Sequence, residues 1–407
     1  MEFRPILSAM RRNKVGAILI AVQMAITLAV LCNGLFIIQQ RLAASRRPSG
    51  MEETQLFVMS NQWVGEPPDL AARQQADMAA LRSLPGVVAA YATNSYPFSD
   101  SGSTEGCSLK PDQTHSTARC ALYYADDQGI ETMGLKLIAG RNFTAAEVGV
   151  QTGRDLMPPP AVIISRELAE KLFPSQSALG QSMYVEARKH RTPIVGIVDR
   201  LQVPWARASG WGSTFFENTV IEPFRYAAKN SSYMVRAKPG ELAAVMQASR
   251  KKLFEVERGR VLDSVRTITE ARAEAYRDDR GLAVILGVVC AALLAVTAFG
   301  IVGLTSYWVT QRRRQIGIRR ALGATRSAIA RYFQTENLLI ASTGAALGVA
   351  LAVALNLWMV NTFEMARLHI GYALFGALVV LLLGQLAVLW PARRAASIPP
   401  ALATRSV

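Results

Sequence analysis

The chain has 407 residues, 51% hydrophobic and 18% charged, with 45 Lys plus Arg against 30 Asp plus Glu for a formal charge of +15. The charged fraction lies well below the ~25% of soluble proteins, and the composition as a whole excludes a disordered chain, a collagen and a coiled coil. Four cysteines in this length exclude a small disulfide-built scaffold.

In chain order, residues 1–14 read as a basic, amphipathic N-terminal helix whose Phe3 to Lys14 stretch suits packing on a lipid surface, with docking on a partner as the alternative. Val15 to Ile38 is a 24-residue run without charge. It exceeds the roughly 7–15 apolar residues of a signal peptide. Residues 15–39 are therefore read as a first transmembrane helix, kept rather than cleaved near Leu42-Ala43-Ala44-Ser45. Residues 40–280 change character and hold 14 of the 18 prolines, with turn signals between short apolar runs. Leu70 to Leu84 reads as a helix ended by Pro85-Gly86. Ala161 to Ser165 reads as a buried strand, Arg166 to Leu172 as a helix, and Leu179-Gly180 as a turn. Ser182 to Ala187 and Pro193 to Val198 read as strands, and Glu241 to Val256 as a helix. This is an α+β domain, expected in two subdomains. Cys107 and Cys120 lie in it, 13 positions apart. They are either a disulfide, if the compartment is oxidising, or two buried free thiols.

Thr267-x-x-Glu270 is a capping box, and only glycines interrupt the pattern from there to Trp308. A single helix over that stretch would be ~63 Å long at 1.5 Å per residue, twice a bilayer. It is expected to project as a stalk unless it breaks near Arg280-Gly281. Ile6 to Arg47 allows a second stalk on the first span. Residues 281–308, 337–359 and 370–390 form three further apolar runs, each long enough to cross a bilayer. The connections are a loop at 309–336, a short turn at 360–369 and a tail at 391–407. The fold class is thus a four-helix transmembrane protein with a large α+β domain between the first and second spans.

Charge then orients the chain. Residues 40–280 hold 30 basic and 27 acidic side chains, leaving 15 and 3 for the remainder. The excess sits in Arg4, Arg11, Arg12 and Lys14, in the seven arginines between the second and third runs, and in Arg393, Arg394 and Arg405. By the positive-inside rule these segments, with both termini, face the cytoplasm, and the α+β domain faces outward. The basic residues are used up by topology, so nucleic acid is not an expected partner, whereas membrane lipid is. The runs contain Gln23, Asn33, Asn356 and Gln385 but no Asp, Glu, Lys or Arg, unlike a proton- or ion-coupled transporter. Gly344-x-x-x-Gly348 allows close helix approach, within the chain or between copies.

Catalytic and metal motifs are missing. His115, His190 and His369 are scattered, without H-E-x-x-H or Cys/His metal spacing. No G-x-S-x-G and no G-x-x-x-x-G-K-[ST] phosphate loop occurs in these residues. In the cytoplasmic loop, Ile316, Ile318 and Leu322 are spaced to line one helical face among arginines. Gly323-Ala324-Thr325 then interrupts it, and Thr325 is placed to cap a second helix from Arg326 to Thr335.

Several of these runs resemble one family. Met133-Gly-Leu-Lys-Leu-Ile-Ala-Gly-Arg-Asn-Phe143 is similar to its "G-x-x-L-x-x-G-R-x-F" signature. The stretch from Ala161 to Pro174, then Leu179-Gly180, then Ile194 to Val198, follows in the family's order. Arg312-Arg-Arg-Gln-Ile-Gly-Ile-Arg-Arg-Ala-Leu-Gly-Ala-Thr-Arg326 is similar to the "R-R-R-E-I-G-I-R-R-A-L-G-A-T" of MacB/FtsX-type ABC permeases, with Gln315 where the pattern has Glu. The resemblance covers nearly the whole chain. It implies a non-catalytic permease subunit of a type VII (MacB-like) transporter in the bacterial inner membrane, exporting peptide, drug-like or lipid-linked cargo. It implies that ATP and Mg are bound by a separate ABC ATPase dimer. It also implies a second permease, identical or a paralogue, and a periplasmic adaptor with an outer-membrane channel. The coupling element would comprise Arg314, Ile316, Ile318, Arg319, Arg320, Leu322, Gly323, Thr325 and Arg326. FtsX-like control of a periplasmic enzyme or cell-wall hydrolase is the alternative the same resemblance allows.

Overall fold

The computed structural model describes residues 14–66, 68–111, 113–152, 157–185, 190–206, 215–363 and 366–397. The Phe3–Lys14 segment lies almost wholly outside them. In chain order the helices are α1 (Lys14–Ser45), α2 (Leu70–Arg82), α3 (Gly129–Met133), α4 (Arg166–Leu172), α5 (Leu242–Val256), α6 (Ile268–Ala275), α7 (Arg277–Gln311), α8 (Arg313–Ala321), α9 (Arg326–Phe363) and α10 (Ile370–Ala396). The strands are β1 (Leu56–Trp63), β2 (Val87–Thr93), β3 (Ser103–Ser108), β4 (Ala118–Tyr124), β5 (Leu137–Gly140), β6 (Gly149–Gln151), β7 (Val162–Ser165), β8 (Ser182–Val185), β9 (Arg191–Val198), β10 (Thr219–Glu222), β11 (Phe224–Tyr226), β12 (Asn230–Ala237) and β13 (Arg260–Thr267). The chain divides into two units, Ala44–Asp278 and the remainder.

The α/β unit has two parts. In the first, β1-α2-β2 and β12-α5-β13 form a four-stranded antiparallel sheet in the order β13-β1-β12-β2. This is a split βαβ arrangement with everything between β2 and β12 inserted. Its far core joins Phe57, Met59, Tyr233 and Val235 to Met78 and Leu81 of α2 and to Val245 and Leu253 of α5. The insertion is a mixed sheet in the order β5-β9-β7-β10-β4-β3-β8. Because β8 also pairs with β9, six of its strands close into a small barrel filled by Val162, Ile164, Met183, Val185, Ile194 and Val220. Cys107 on β3 and Cys120 on β4 are joined by a disulfide across Cα atoms 6.5 Å apart, at the barrel wall.

Two glycines let the end of β5 close onto β9. Gly140 ends β5 at φ +77°, and a Cβ there would stand 2.2 Å from the Val195 carbonyl oxygen. Gly196 opposite it would place a Cβ 2.6 Å from the Arg141 carbonyl oxygen. Neither position admits a side chain without moving backbone.

The other unit contains four helices long and apolar enough to cross a membrane: α1, α7, α9 and α10. The central helix is α1, whose Ile20, Met24 and Leu28 are buried against Ile301, Ile340, Ala341 and Val380. Small residues make that possible. A Cβ on Gly344 would meet Ala21, and one on Gly348 would meet Leu28 and Ala25. The Gly344-x-x-x-Gly348 face thus packs within the chain, against α1. Polar side chains close the seams: Thr27 and Thr297 hydroxyls share a hydrogen bond of 2.7 Å, and Asn33 Nδ2 donates to the Ala352 carbonyl at 3.1 Å.

Three expectations about helix extent are corrected. The long helix from Thr267 to Trp308 is broken at Tyr276, four residues before Arg280, into α6 and α7. Tyr276 is wholly buried. Its ring meets Phe98 edge-to-face at 6.1 Å, and its hydroxyl accepts from Gln202 Nε2 at 3.3 Å. Those contacts hold its backbone at φ −102°, ψ 11°, off the helical path, whereas the capping box at Thr267 forms as read. The helix expected from Arg326 to Thr335 and the third apolar run are one continuous helix of 38 residues. Lastly, α10 continues past Trp390 through Pro391. The lost rung is offset because Ala392, Ala395 and Ala396 beyond it pack into the bundle core.

Candidate ATPase-coupling site

The segment between α7 and α9 is a tight helical hairpin. The sequence Arg312 to Ala321 is basic at its start and end, with isoleucines between. The chain leaves α7 at Arg312, whose φ −96° and ψ 9° mark a bend. Hydrogen bonds from Arg312 N to the Trp308 carbonyl (3.0 Å) and from Ile316 N to the Arg312 carbonyl (2.9 Å) run through it, so the ladder bends without opening. At the far end Gly323 takes φ +95°. Ala324 N donates to the Arg319 carbonyl and Gly323 N to the Arg320 carbonyl, a Schellman closure that needs glycine. Thr325 Oγ1 then accepts from Ala328 N at 3.2 Å and caps α9.

This geometry divides the candidate residues. Successive positions on a helix turn by about 100°, so Ile316 and Ile318 face nearly opposite ways while Ile318 and Leu322 share a face. Ile316 is 5% exposed and belongs to the bundle core with Ile329, Phe333, Val388 and Ala392. The expectation that it lines a docking face is therefore corrected: α8 uses it to anchor against α10. Ile318 and Leu322 are 48% and 82% exposed. Arg314, Arg319, Gly323, Thr325 and Arg326 are exposed around them. The Arg319 guanidinium lies over the Tyr332 ring, 5.1 Å from its centroid, and Arg320 Nη1 donates to the Ala396 carbonyl at 3.2 Å. The result is a basic, partly apolar knob built on three helices.

One pair went unread in the sequence. Arg312 Nη1 donates to both carboxylate oxygens of Glu336, at 3.1 and 2.9 Å. The side chains are 13% and 3% exposed. The available signal was that Glu336 is the lone acid among seven arginines from Gln311 to Asn337. Among the described residues no group of three or more His, Cys, Asp or Glu is placed to hold a metal ion.

Residues 15–252, more than half of the chain, match the model of the MacB-like periplasmic core domain, and residues 287–400 match that of the FtsX-like permease C-terminal domain. The chain belongs to the MacB/FtsX-type ABC permeases. Among its relatives is the macrolide export ATP-binding/permease protein MacB of Neisseria meningitidis serogroup A, 25% identical over 273 residues, covering 66% of this chain and 39% of that protein. The pyoverdine export ATP-binding/permease protein PvdT of Pseudomonas aeruginosa is 26% identical over 280 residues, covering 65% and 40%. An uncharacterized ABC transporter permease of Bacillus subtilis, YvrN, is 25% identical over 301 residues, covering 70% and 69%. The chain spans about two fifths of the length of the MacB relatives it matches. The crystal structure of the periplasmic region of MacB from Actinobacillus actinomycetemcomitans aligns with 55% of this chain and 94% of its own, at 13% identity and a TM-score of 0.35. Membership makes the four apolar helices the spans of a multi-pass inner-membrane permease. It also assigns the MacB-like α/β unit to the periplasmic core domain class.

Proposed function

We propose that this permease transmits the work of a separate ABC ATPase to its α/β unit, which lies outside the membrane between the first and second spans. Both termini are cytoplasmic. The α8 hairpin receives the push, and motion of the outer unit drives export of cargo, in the class of peptides, drug-like molecules or lipid-linked substrates. A second permease, an adaptor and an outer-membrane channel complete the assembly in this reading. The chain itself performs no catalysis and holds no cofactor; ATP and Mg belong to the ATPase.

The observation that carries this proposal is the exposed Ile318/Leu322 pair on a rigid hairpin, ringed by arginines. Two large apolar side chains facing water on a helix pinned at both ends are suited to docking on a protein surface. Fully burying an apolar side chain of this size removes enough surface from water to be worth about 1.5–3 kcal/mol. The double variant Ile318→Asp/Leu322→Asp should insert and fold normally, because neither residue packs in the bundle core. In mild detergent it should lose the co-purifying subunit that carries a phosphate-loop motif, and nucleotide-dependent movement of the permease should stop. Retention of that subunit at the native stoichiometry would place the docking site elsewhere.

A further inference from the structure

The Arg312–Glu336 pair stands apart from the exposed arginines around it. Most of the hairpin's cations face water, where a positive-inside role accounts for them. Arg312 does not: it sits at the bend between α7 and α8, mostly enclosed, and its guanidinium is aimed at the one carboxylate in the segment. Glu336 lies in α9, ten residues beyond its start and so ~15 Å along it at 1.5 Å per residue. That level of α9 is held in place. Asn337 Nδ2 donates to the Gly384 carbonyl of α10 at 3.0 Å, and Phe333 and Ile340 are buried in the bundle. The ion pair thus ties a bend to a fixed point. Ile316 is the second fixation of α8, and the Arg320 bond to Ala396 the third.

An enclosed ion pair is an uneconomical way to gain stability, since the desolvation of both charges opposes their attraction. An apolar pair would fill the same space. What a charge-assisted hydrogen-bonded pair adds is direction, because the guanidinium must meet the carboxylate along its N–H axis. At a bend, direction is the quantity that matters: a helix displaced at its exposed tip moves its neighbours only if its base has a defined angle.

Resting on the coupling role proposed above, we propose that Arg312 and Glu336 are the positioning pair of the coupling hairpin. They form the joint that fixes the direction of α8 relative to α9, so that a push on Ile318 and Leu322 is delivered to the spans instead of being absorbed at the bend. They touch neither nucleotide nor cargo and act through α8.

The test separates this proposal from the docking proposal. Nitroxide labels at Arg313→Cys, on the side of α8 turned away from Ile318 and Leu322, and at Leu386→Cys on α10 report the joint in the full chain with its co-purified ATPase in nanodiscs. Both positions are exposed, while the native cysteines are buried or disulfide-bonded. The native protein should give a narrow distance distribution that shifts with ATP and vanadate. Glu336→Gln removes the charge and keeps the shape. It should retain the ATPase at native stoichiometry, since the docking face is intact, yet broaden the distribution and abolish the nucleotide-driven shift. The exchange Arg312→Glu/Glu336→Arg should restore at least half of that shift. A native shift in Glu336→Gln would overturn the proposal. So would loss of the ATPase together with a lowered thermal midpoint that the exchange does not repair, since the pair would then only hold the fold. Failure of the docking proposal shows itself differently, as Ile318→Asp/Leu322→Asp retaining the ATPase.

Discussion

Each residue of the Gly140-Arg141-Asn142-Phe143 run has its own structural task. Gly140 turns the chain at positive φ against β9. Arg141 forks onto both oxygens of Glu147, at 2.8 and 2.6 Å. Asn142 Nδ2 donates to the Asp127 carbonyl at 2.8 Å, and Phe143 is buried in the core shared by the unit's two parts. Glu147 also accepts from Thr144 N in a capping box. The Arg141 hydrogen bond, with those of Thr144, lowers its carboxyl from 4.5 to about 2. A folded-state value below the unfolded one contributes stability above about 4.5 that is lost as pH falls through about 2. Thermal melts of native protein and Glu147→Gln should therefore differ at pH 6 and converge near pH 2. A gap that stays constant over that range would show the contribution to be uncharged. Asp77 poses the opposite case. It and Arg260 are fully buried, paired at 2.6 and 2.7 Å. Tyr233 donates to Asp77 at 2.7 Å, and the Arg260 guanidinium stacks on Trp63 at 4.2 Å. Asp77→Ala strands a buried cation and should cost about 3–5 kcal/mol, with Asp77→Asn milder, as read by denaturant unfolding of the tryptophan signal.

At the scale of elements, legibility followed how local the cause was. The capping box at Thr267, the Arg166–Leu172 helix and the Thr325 cap depend on residues within one turn, and the sequence pattern was enough to place them. The break at Tyr276 was invisible because its cause is 178 positions away, at Phe98. Phe98 itself sits at φ +74°, a conformation costly for a bulky side chain, and Arg272 lies over its ring at 4.7 Å. The break therefore rests on a small cluster of aromatic and cationic contacts. Tyr276→Ala removes the ring that enforces it and should let α6 and α7 join. Expected outcomes are a straightened junction, read as a longer nitroxide-to-nitroxide distance between α6 and α7, and a lower unfolding midpoint, since only Tyr276 separates the two helices and a buried aromatic is lost at ~3–5 kcal/mol. A drop in midpoint with the native distance unchanged would mean that the bend is set by the backbone around it. The same distinction separates Ile316 from Ile318: a helical face can be read from spacing, but which side meets α10 is decided by a helix 54 residues further on.

For the whole molecule, the partition of charge was the most informative feature, and it makes a prediction independent of family. Residues 40–280 are close to neutral while the remainder carries most of the +15. Moving the arginines clustered between the second and third spans across a bilayer would be strongly opposed. The Cys107–Cys120 disulfide suits an oxidising exterior, which points the same way by separate chemistry. Val64→Cys, at an exposed turn of the α/β unit, and Ala321→Cys, on α8, test the arrangement together. A membrane-impermeant maleimide added to intact spheroplasts should modify the first and spare the second; after lysis it should modify both. The native cysteines stay silent because Cys32 and Cys290 are buried and the other two are bonded. Labelling of Ala321→Cys in sealed cells would put the arginine-rich hairpin outside. The coupling hairpin, the positioning pair and the separate ATPase would then all lose their basis, because ATP is supplied from the cytoplasm.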